Sequence, residues 1–431
     1  MFLKLSEKSF IKQKPDVWIY SSFKDNTRQV LSVNKSAFDI LSLCDGTNSV
    51  TDISNELKVK YNSESDAFKE FVEIFINPLI KEGLVETSEN KEVSTIQRGD
   101  ANIHYPDIMI FEITYNCPLD CKHCYLRSKD NKFSSKEDMD KMLELVDKTG
   151  IYKVQITGGE ALTHPLFDYL VYELIKRGLI VTIASSGFVL NEKILNALKV
   201  LNQVKGSYIS ISLDGDKKSH NNIRNNELSY DKTIKFLETM AENEIPFRIG
   251  TTIIDQSQQE LEEMVAKIKE IGASSISMGT VFSLGNAIKN ELSPSFEGEK
   301  YNQFLKNLSD KYNDEKFIVE SADNFGCIER ESCSLGHKMI RVRPNLDITP
   351  CNLMEAKLGN LKEQSIEEIM SQYGKMLHDL IVPCRRLCGD CEKINVCKNC
   401  PAQGLASKDK VKNCKWFENQ KDVLNLLLKT Q

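Results

Sequence analysis

Hydrophobic positions follow two rules along this chain. Between about residues 107 and 310, short apolar and β-branched runs alternate with stretches whose apolar residues recur every three or four positions. The runs lie at 108–114, 153–157, 180–184, 208–213, 247–253 and 275–281. The amphipathic stretches lie near 135–149, 165–178, 190–201, 229–243, 257–271 and 297–310. Strands alternating with helices at this spacing predict a parallel sheet. Several strands end in glycine or polar residues, at 157–160, 185–187 and 214–215. Ligands of parallel sheets and barrels bind at the carboxyl ends of strands, so these motifs share one face.

The front, residues 1–88, reads as a small α+β unit. The runs 17–22 and 29–33 are strand-like, with the turn-prone KDNT between them. Asn34 is placed to cap a helix over SAFDILSLC, and a Ser/Thr-capped helix follows at 49–61. A long amphipathic helix at 65–82 carries Phe68, Phe71 and Phe75, ends at Gly83, and leads into the short strand LVET. Residues 89–106 are polar and aperiodic, and read as a linker. Residues 311–431 form a cysteine-rich rear.

Composition narrows the class. The chain has 431 residues, 41% hydrophobic and 27% charged, with a formal charge of −6. That composition belongs to a globular chain of several domains, and the acidic balance argues against nucleic acid as partner. The start, MFLKLSEKSF, has no apolar core of a signal peptide, and no apolar run reaches membrane-spanning length. The expectation is a cytoplasmic chain without a membrane partner. In a reducing compartment, its 13 cysteines are expected to serve metal or catalysis rather than disulfides.

Their spacing is informative. Cys44 stands alone, and Cys117, Cys121 and Cys124 form a tight trio directly after the first strand of the middle region. Three thiolates on one loop can hold three irons of a [4Fe–4S] cube and leave the fourth open to a chelating small molecule. A structural zinc knuckle is the alternative, although zinc prefers C-x2-C pairs. The rear holds Cys327, Cys333, Cys351, Cys384, Cys388, Cys391, Cys397, Cys400 and Cys414. At the strand ends, Gly158 and Gly159 allow close backbone approach, and Glu160 can accept from a ligand amine. Ser185, Ser186, Ser212 and Asp214 suit a ribose. Arg224 offers a fork for a carboxylate, and His220 lies in the same loop.

Together, Cys117-x3-Cys121-x2-Cys124 with Tyr125, GGE at 158–160, SSG at 185–187 and SLDG at 212–215 resemble the radical S-adenosylmethionine enzymes. The resemblance implies a partial (β/α)6 TIM-like barrel within an α/β chain, with a winged-helix-like α+β domain in front. It implies that S-adenosylmethionine chelates the open iron. Gly158, Gly159 and Glu160 would lie at the amine, Ser185, Ser212 and Asp214 near the ribose, Arg224 near the carboxylate, and Thr252 near the adenosyl group. The rear, with LGNLKEQSIEEIM at 358–370, resembles the SPASM extension and implies two auxiliary [4Fe–4S] clusters, three in all. Carried over, Cys327, Cys333, Cys351 and Cys400 hold the first, and Cys388, Cys391, Cys397 and Cys414 the second. Cys44 and Cys384 are left over. One departure is Leu346, where the family usually has glycine; Pro344-Asn345 is expected to make that turn, since Asn tolerates positive φ.

The front resembles the PqqD-like recognition element, through AFDILSLCDGTNSVTDISNEL followed by LIKEGLVE. That implies capture of a leader peptide by β-augmentation on the edge strand near 29–33, against the helix at 65–82. The whole resembles a radical SAM/SPASM peptide maturase of the sactisynthase kind. It implies crosslinking of a ribosomally made precursor peptide, with a cysteine thioether to carbon as the leading product. Carbon–carbon or carbon–oxygen links are the alternatives, and a flavodoxin- or ferredoxin-type protein is the implied electron donor. A different class, a non-catalytic iron–sulfur redox sensor, would fail to cleave S-adenosylmethionine. Glu112, His104, Asp107 and His337 are candidate bases.

Overall fold

A computed structural model describes residues 1–15, 17–126, 131–323 and 332–429. The front begins with four strands: β1 (Phe2–Leu5), β2 (Phe10–Lys14), β3 (Val17–Lys24) and β4 (Thr27–Val33). β3 and β4 form the expected hairpin, and its tip residues Asp25 and Asn26 take φ of 50° and 60°. Positive φ at both central positions is the requirement of a type I′ hairpin turn, which Asp and Asn tolerate. Helix α1 (Lys35–Ser42) is capped by the Asn34 side chain. Strand β5 (Asp45–Asn48), helices α2 (Val50–Lys60) and α3 (Ala67–Lys81), and strand β6 (Val85–Ser88) follow.

Two differences from the sequence expectation arise here. β1 and β2 precede the anticipated hairpin, and the expected linker contains strand β7 (Gln97–Gly99), paired in parallel with β2. The front therefore holds two sheets, ordered β5-β1-β6 and β4-β3-β2-β7, with β4 at an edge. β2 (FIKQK) escapes pattern reading because its lysines are interior. Lys12 is 0% exposed and meets Asp107 at 2.9 Å, and Lys14 meets the other Asp107 oxygen at 2.7 Å. These contacts join the front unit to the entrance of the barrel. Arg28 of β4 adds a second tie, donating to the carbonyls of Gly178 at 2.6 Å and Arg177 at 3.0 Å.

The middle matches the expected alternation closely. Its elements are β8 (Ile108–Glu112), α4 (Lys136–Thr149), β9 (Lys153–Thr157), α5 (Phe167–Lys176), β10 (Ile180–Ser185), α6 (Glu192–Lys199) and β11 (Tyr208–Ser212). Then come α7 (Lys217–Arg224), α8 (Ser229–Glu242), β12 (Phe247–Ile253), α9 (Gln258–Ile271), β13 (Ser275–Thr280), α10 (Asn286–Lys289) and α11 (Glu299–Tyr312). The six strands run parallel in chain order, and Val154, Ile156, Ile183, Ile211, Ile249 and Ile276 are fully buried between helices and barrel interior. Their near-continuous apolar runs suit a sheet covered on both faces.

The sheet does not stop at six. β14 (Ile318–Ser321) adds in parallel to β13, and β15 (Met339–Val342) adds in parallel to β8. β16 (Asp347–Thr349) and β17 (Gly359–Asn360) continue antiparallel, making ten strands among the described residues. The cysteine-rich rear is thus built directly onto the first barrel strand, with α12 (Ile366–Asp379) opened by a capping box at Ser365. At the β15–β16 turn, the residue with positive φ is Leu346 itself, at 67°, rather than Asn345. Its side chain is fully buried, so packing offsets a conformation that usually selects glycine. No helix among the described residues is long and apolar enough to cross a membrane.

Candidate functional site

The loop after β8 carries the trio. Its backbone is fastened from both sides: Lys122 N–H donates to the Ile223 carbonyl at 2.9 Å, and Asn286 N–H donates to the Cys124 carbonyl at 2.8 Å. The Asn286 amide also reaches the Cys121 carbonyl at 3.2 Å. Gly285 has φ of 53°, and a Cβ there would stand 2.4 Å from the Cys124 carbonyl oxygen. Close approach of the segment after β13 therefore requires glycine. Cys121 is buried, and its Sγ receives Arg224 Nη1 at 3.7 Å.

The glycines at 158 and 159 are explained by the same crowding. A Cβ on Gly159 would lie 2.4 Å from the Asn116 oxygen and 2.6 Å from the Tyr115 oxygen, both backbone atoms just before Cys117. Gly159→Ala is expected to push the trio loop outward, at an overpacking cost of about 1–3 kcal/mol. Denaturant midpoints and S-adenosylmethionine cleavage should both fall; unchanged values for both would show that the loop does not depend on this contact. Glu160 is buried and spans two strand ends. Its Oε2 accepts from Ser186 N–H at 2.8 Å and Ser186 Oγ at 2.5 Å, and its Oε1 from Leu162 N–H at 3.3 Å. Ser185 Oγ accepts from Gly187 N–H at 3.0 Å.

Asp214, expected near a ribose, has a different set of neighbours. Its Oδ1 accepts from Thr252 N–H at 3.0 Å, and its Oδ2 stands 2.6 Å from Arg224 Nη2. Burial alone would raise this carboxyl, but the Arg224 guanidinium and the Thr252 N–H hold it below the usual range. Asp214 thus orients Arg224 and Thr252. Ser212 stands half-buried at the end of β11, two residues before Asp214. His220 and His123 are each pushed down to about 4, by burial first and by Arg224 second, so both rings are neutral at pH 7.

The rear cysteines fall into two groups. Cys351 lies close enough to Cys400 and Cys333 for both to raise its thiol, and Cys333 also raises Cys400; Cys327 lies outside the described residues. Burial first, and Cys400 second, push Cys351 up to about 12. Cys388, Cys391, Cys397 and Cys414 form the second group, with Cys397 pushed up to about 12 by burial and then by its three neighbours. Thiols crowded in this way suit a cationic iron centre, because coordination removes the proton that burial would retain. Cys384 is fully buried at the start of the turn that carries Cys388, and Cys44 is buried in the front core. Among the described residues, no three His, Cys, Asp or Glu side chains close on one point as a single ion would need. A cube asks instead for one thiolate at each iron corner.

Two buried cations tie this rear to opposite edges of the barrel. Lys398, between Cys397 and Cys400, reaches Thr280 at the end of β13 and meets Asp323 at 3.2 Å. Arg341 of β15 is 0% exposed; it meets Glu112 of β8 at 3.2 Å and holds the turn after Cys351 through the carbonyls of Asn352 at 3.3 Å and Met354 at 3.0 Å. Sequence reading singles out neither cation. Their partners lie far away in the chain, and nothing local marks them. Between the two edges opens a cavity of about 320 Å³. It is bordered by Tyr125 after the trio, Leu284 and Gly285 after β13, and Asn352 and Leu353 after Cys351.

The four candidate bases separate. Glu112 lies beneath this cavity's Tyr125, whose hydroxyl donates to Glu112 Oε1 at 3.3 Å. Asp107 is consumed by Lys12 and Lys14. His104 and His337 both pack on His378, with ring centroids 4.4 and 5.1 Å away, and His337 precedes β15 at the amino end of the sheet. These three residues therefore belong to domain contacts rather than to the strand-end face.

Comparison with known proteins agrees with this layout. The model of the Radical SAM superfamily matches residues 111–268, that of Coenzyme PQQ synthesis protein D (PqqD) residues 23–85, and that of the SPASM iron–sulfur cluster-binding domain residues 333–401. The antilisterial bacteriocin subtilosin biosynthesis protein AlbA of Bacillus subtilis is 25% identical, covering 99% of both chains. The sporulation killing factor maturation protein SkfB of the same organism is 24% identical over 63% of this chain and 67% of its own. Among solved structures, Streptococcus suis SuiB bound to S-adenosylmethionine superposes with a TM-score of 0.68 at 15% identity, covering 96% of this chain and 98% of its own. SuiB bound to its precursor peptide SuiA superposes at 0.66 with 14% identity and the same coverage.

Proposed function

We propose that this chain, a radical S-adenosylmethionine enzyme carrying PqqD-like and SPASM domains, crosslinks a ribosomally made precursor peptide by joining a cysteine sulfur to a peptide carbon. The observation that carries the reading is the cavity bordered by the trio loop on one side and by the turn after Cys351 on the other. A crosslink removes two hydrogens, so it needs a radical source and an electron exit on opposite sides of one substrate.

In this reading Cys117, Cys121 and Cys124 hold the radical-generating cluster, with Gly158, Gly159 and Glu160 at the cofactor's amine. Arg224, steadied by Asp214, serves its carboxylate. Ser185, Ser212 and Thr252 line the nucleoside side. Cys327, Cys333, Cys351 and Cys400 hold one auxiliary [4Fe–4S] cluster, and Cys388, Cys391, Cys397 and Cys414 the other. A cluster held by Cys117, Cys121 and Cys124, together with S-adenosylmethionine, would supply radical chemistry able to take hydrogen from carbon. The chain's own work is to seat the peptide, to keep water from the strand-end face, and to fix the loops that hold the clusters. A flavodoxin- or ferredoxin-type donor in the cytoplasm completes the requirement.

AlbA is named for bacteriocin biosynthesis and the SuiB structure for a bound precursor peptide, and both favour a peptide substrate here. The leader would add to the free edge of β4, where Leu31 is 52% exposed, and continue against α3, whose Phe71 and Ile74 are 50% and 66% exposed. An open edge strand with apolar neighbours is a template for an added strand. Leu31→Asp is expected to weaken leader binding about tenfold, a difference of about 1.4 kcal/mol, without lowering thermal stability. Fluorescence anisotropy with labelled leader reads this directly. Unchanged affinity would move the docking site away from β4. The function itself is tested by incubating the reduced enzyme with the peptide encoded beside its gene. Formation of 5′-deoxyadenosine together with a peptide lighter by two hydrogens supports it.

A further inference from the structure

Glu112 stands out among the buried groups. It lies on β8 with no exposure, Arg341 engages only Oε1, and Oε2 is buried with no hydrogen-bond partner. A carboxylate oxygen left in this state is costly unless a proton or donor visits it. The same Oε1 accepts from Tyr125, and Tyr125 borders the 320 Å³ cavity. The path from the cavity to Glu112 therefore runs through one hydroxyl.

We propose that Glu112 is the proton acceptor for the peptide nucleophile, reached through the Tyr125 hydroxyl. The proposal rests on the crosslinking reading above. A peptide thiol in the cavity gives its proton to the Tyr125 oxygen as Tyr125 passes its own to the Glu112 carboxylate. The products are a peptide thiolate, an unchanged Tyr125 and a neutral Glu112 carboxylic acid. No electron moves in this step. Glu112 is then restored when the acid returns its proton through the Tyr125 hydroxyl to solvent entering the cavity as the linked peptide leaves.

The surroundings suit this task. Burial raises the Glu112 carboxyl above its ordinary range, while Arg341 and Arg343 pull it back and Glu355 adds to the rise. The Tyr125 hydroxyl faces it at 3.3 Å. A base works best with a pKa near the working pH, and an ordinary exposed carboxylate lies well below it. Arg341 keeps Glu112 in place, and it also holds the turn after Cys351. The proton acceptor and an auxiliary ligand loop are thus fixed by one guanidinium.

The test uses the reconstituted holoenzyme with the peptide encoded beside its gene, deuterated at the carbon to be linked. In Glu112→Gln and Tyr125→Phe, deuterium should still appear in 5′-deoxyadenosine, whereas crosslinked peptide should fall by about 10²-fold or more, the usual scale of a lost general base. The rate of crosslinking in the parent should rise with pH through the raised Glu112 pKa, and this rise should vanish in Glu112→Gln. Iron content and thermal midpoint are measured on both variants, and Tyr125→Phe retains the Glu112–Arg341 pair should the Gln variant fold poorly. Full crosslinking in a folded variant, or a pH rise that survives in Glu112→Gln, would overturn the assignment. A parent enzyme that transfers deuterium but makes no crosslink would instead overturn the underlying function.

Discussion

Replacing Cys117, Cys121 and Cys124 together by alanine is expected to abolish 5′-deoxyadenosine formation and all peptide modification. Iron content should fall by one four-iron cube per chain. Leader binding should persist, because the front unit has its own core built on Ile11, Ile40, Ile53, Val72 and Ile76. The loop should also persist. Its hydrogen bonds to Ile223 and Asn286 use backbone atoms of Lys122 and Cys124, which alanine retains. Arg224 gives up its approach to the Cys121 sulfur, but Asp214 still holds that arginine. Iron analysis, anisotropy and chromatography of the nucleoside product on one preparation test all three points. Residual 5′-deoxyadenosine would mean that the radical source is not held by this loop.

The second large effect is on stability. Asp107→Ala removes the shared counter-ion of Lys12 and Lys14 and leaves two ammonium groups between the front unit and the barrel. Lys12 retains only carbonyl partners, Pro106 at 2.6 Å and Gly150 at 3.4 Å. Breaking a buried pair in this way costs about 3–5 kcal/mol. Burial already pushes Lys12 down to about 8 against the pull of Asp107, so the variant would shed that proton more readily. The acid limb of the parent follows from Asp107. Burial opposes its ionisation, but the two lysines win and its carboxyl is held below the usual range. A depressed carboxyl contributes stability above the unfolded pKa of about 3.9, and this contribution is lost as pH falls through the lower folded value. Calorimetry against pH should show that loss in the parent and its absence in Asp107→Ala. Equal midpoints for parent and variant at pH 7 would contradict the claim that this pair joins the two units.

The barrel was legible because its strands are short apolar runs and its helices keep a clean three-to-four period. β9 and β12 fall where the pattern puts them. Elements whose stability comes from distant polar partners were not legible. β2 hides two interior lysines that meet Asp107 more than ninety residues away. α7 (KKSHNNIR) has no apolar stripe; the Asp216 cap and the buried His220, Asn221 and Arg224 hold it. The cysteine spacing pointed to metal chemistry and the resemblance made it iron; in the structure Cys351 and Cys400 are influenced by Cys333, and Cys397 by Cys388, Cys391 and Cys414. The Glu112–Arg341 pair spans 229 positions, and no local signal could join them.

The central claim is that radical chemistry on this scaffold ends in a crosslink within a leader-bearing peptide. Mass spectrometry of the peptide co-expressed with the enzyme tests it most directly. The expected product is lighter by two hydrogens for each link, and is absent with the cysteine-trio variant. A modified peptide of unchanged mass in ordinary water, which becomes heavier by one deuterium per site when made in D2O, would contradict the claim, because that is the signature of epimerisation.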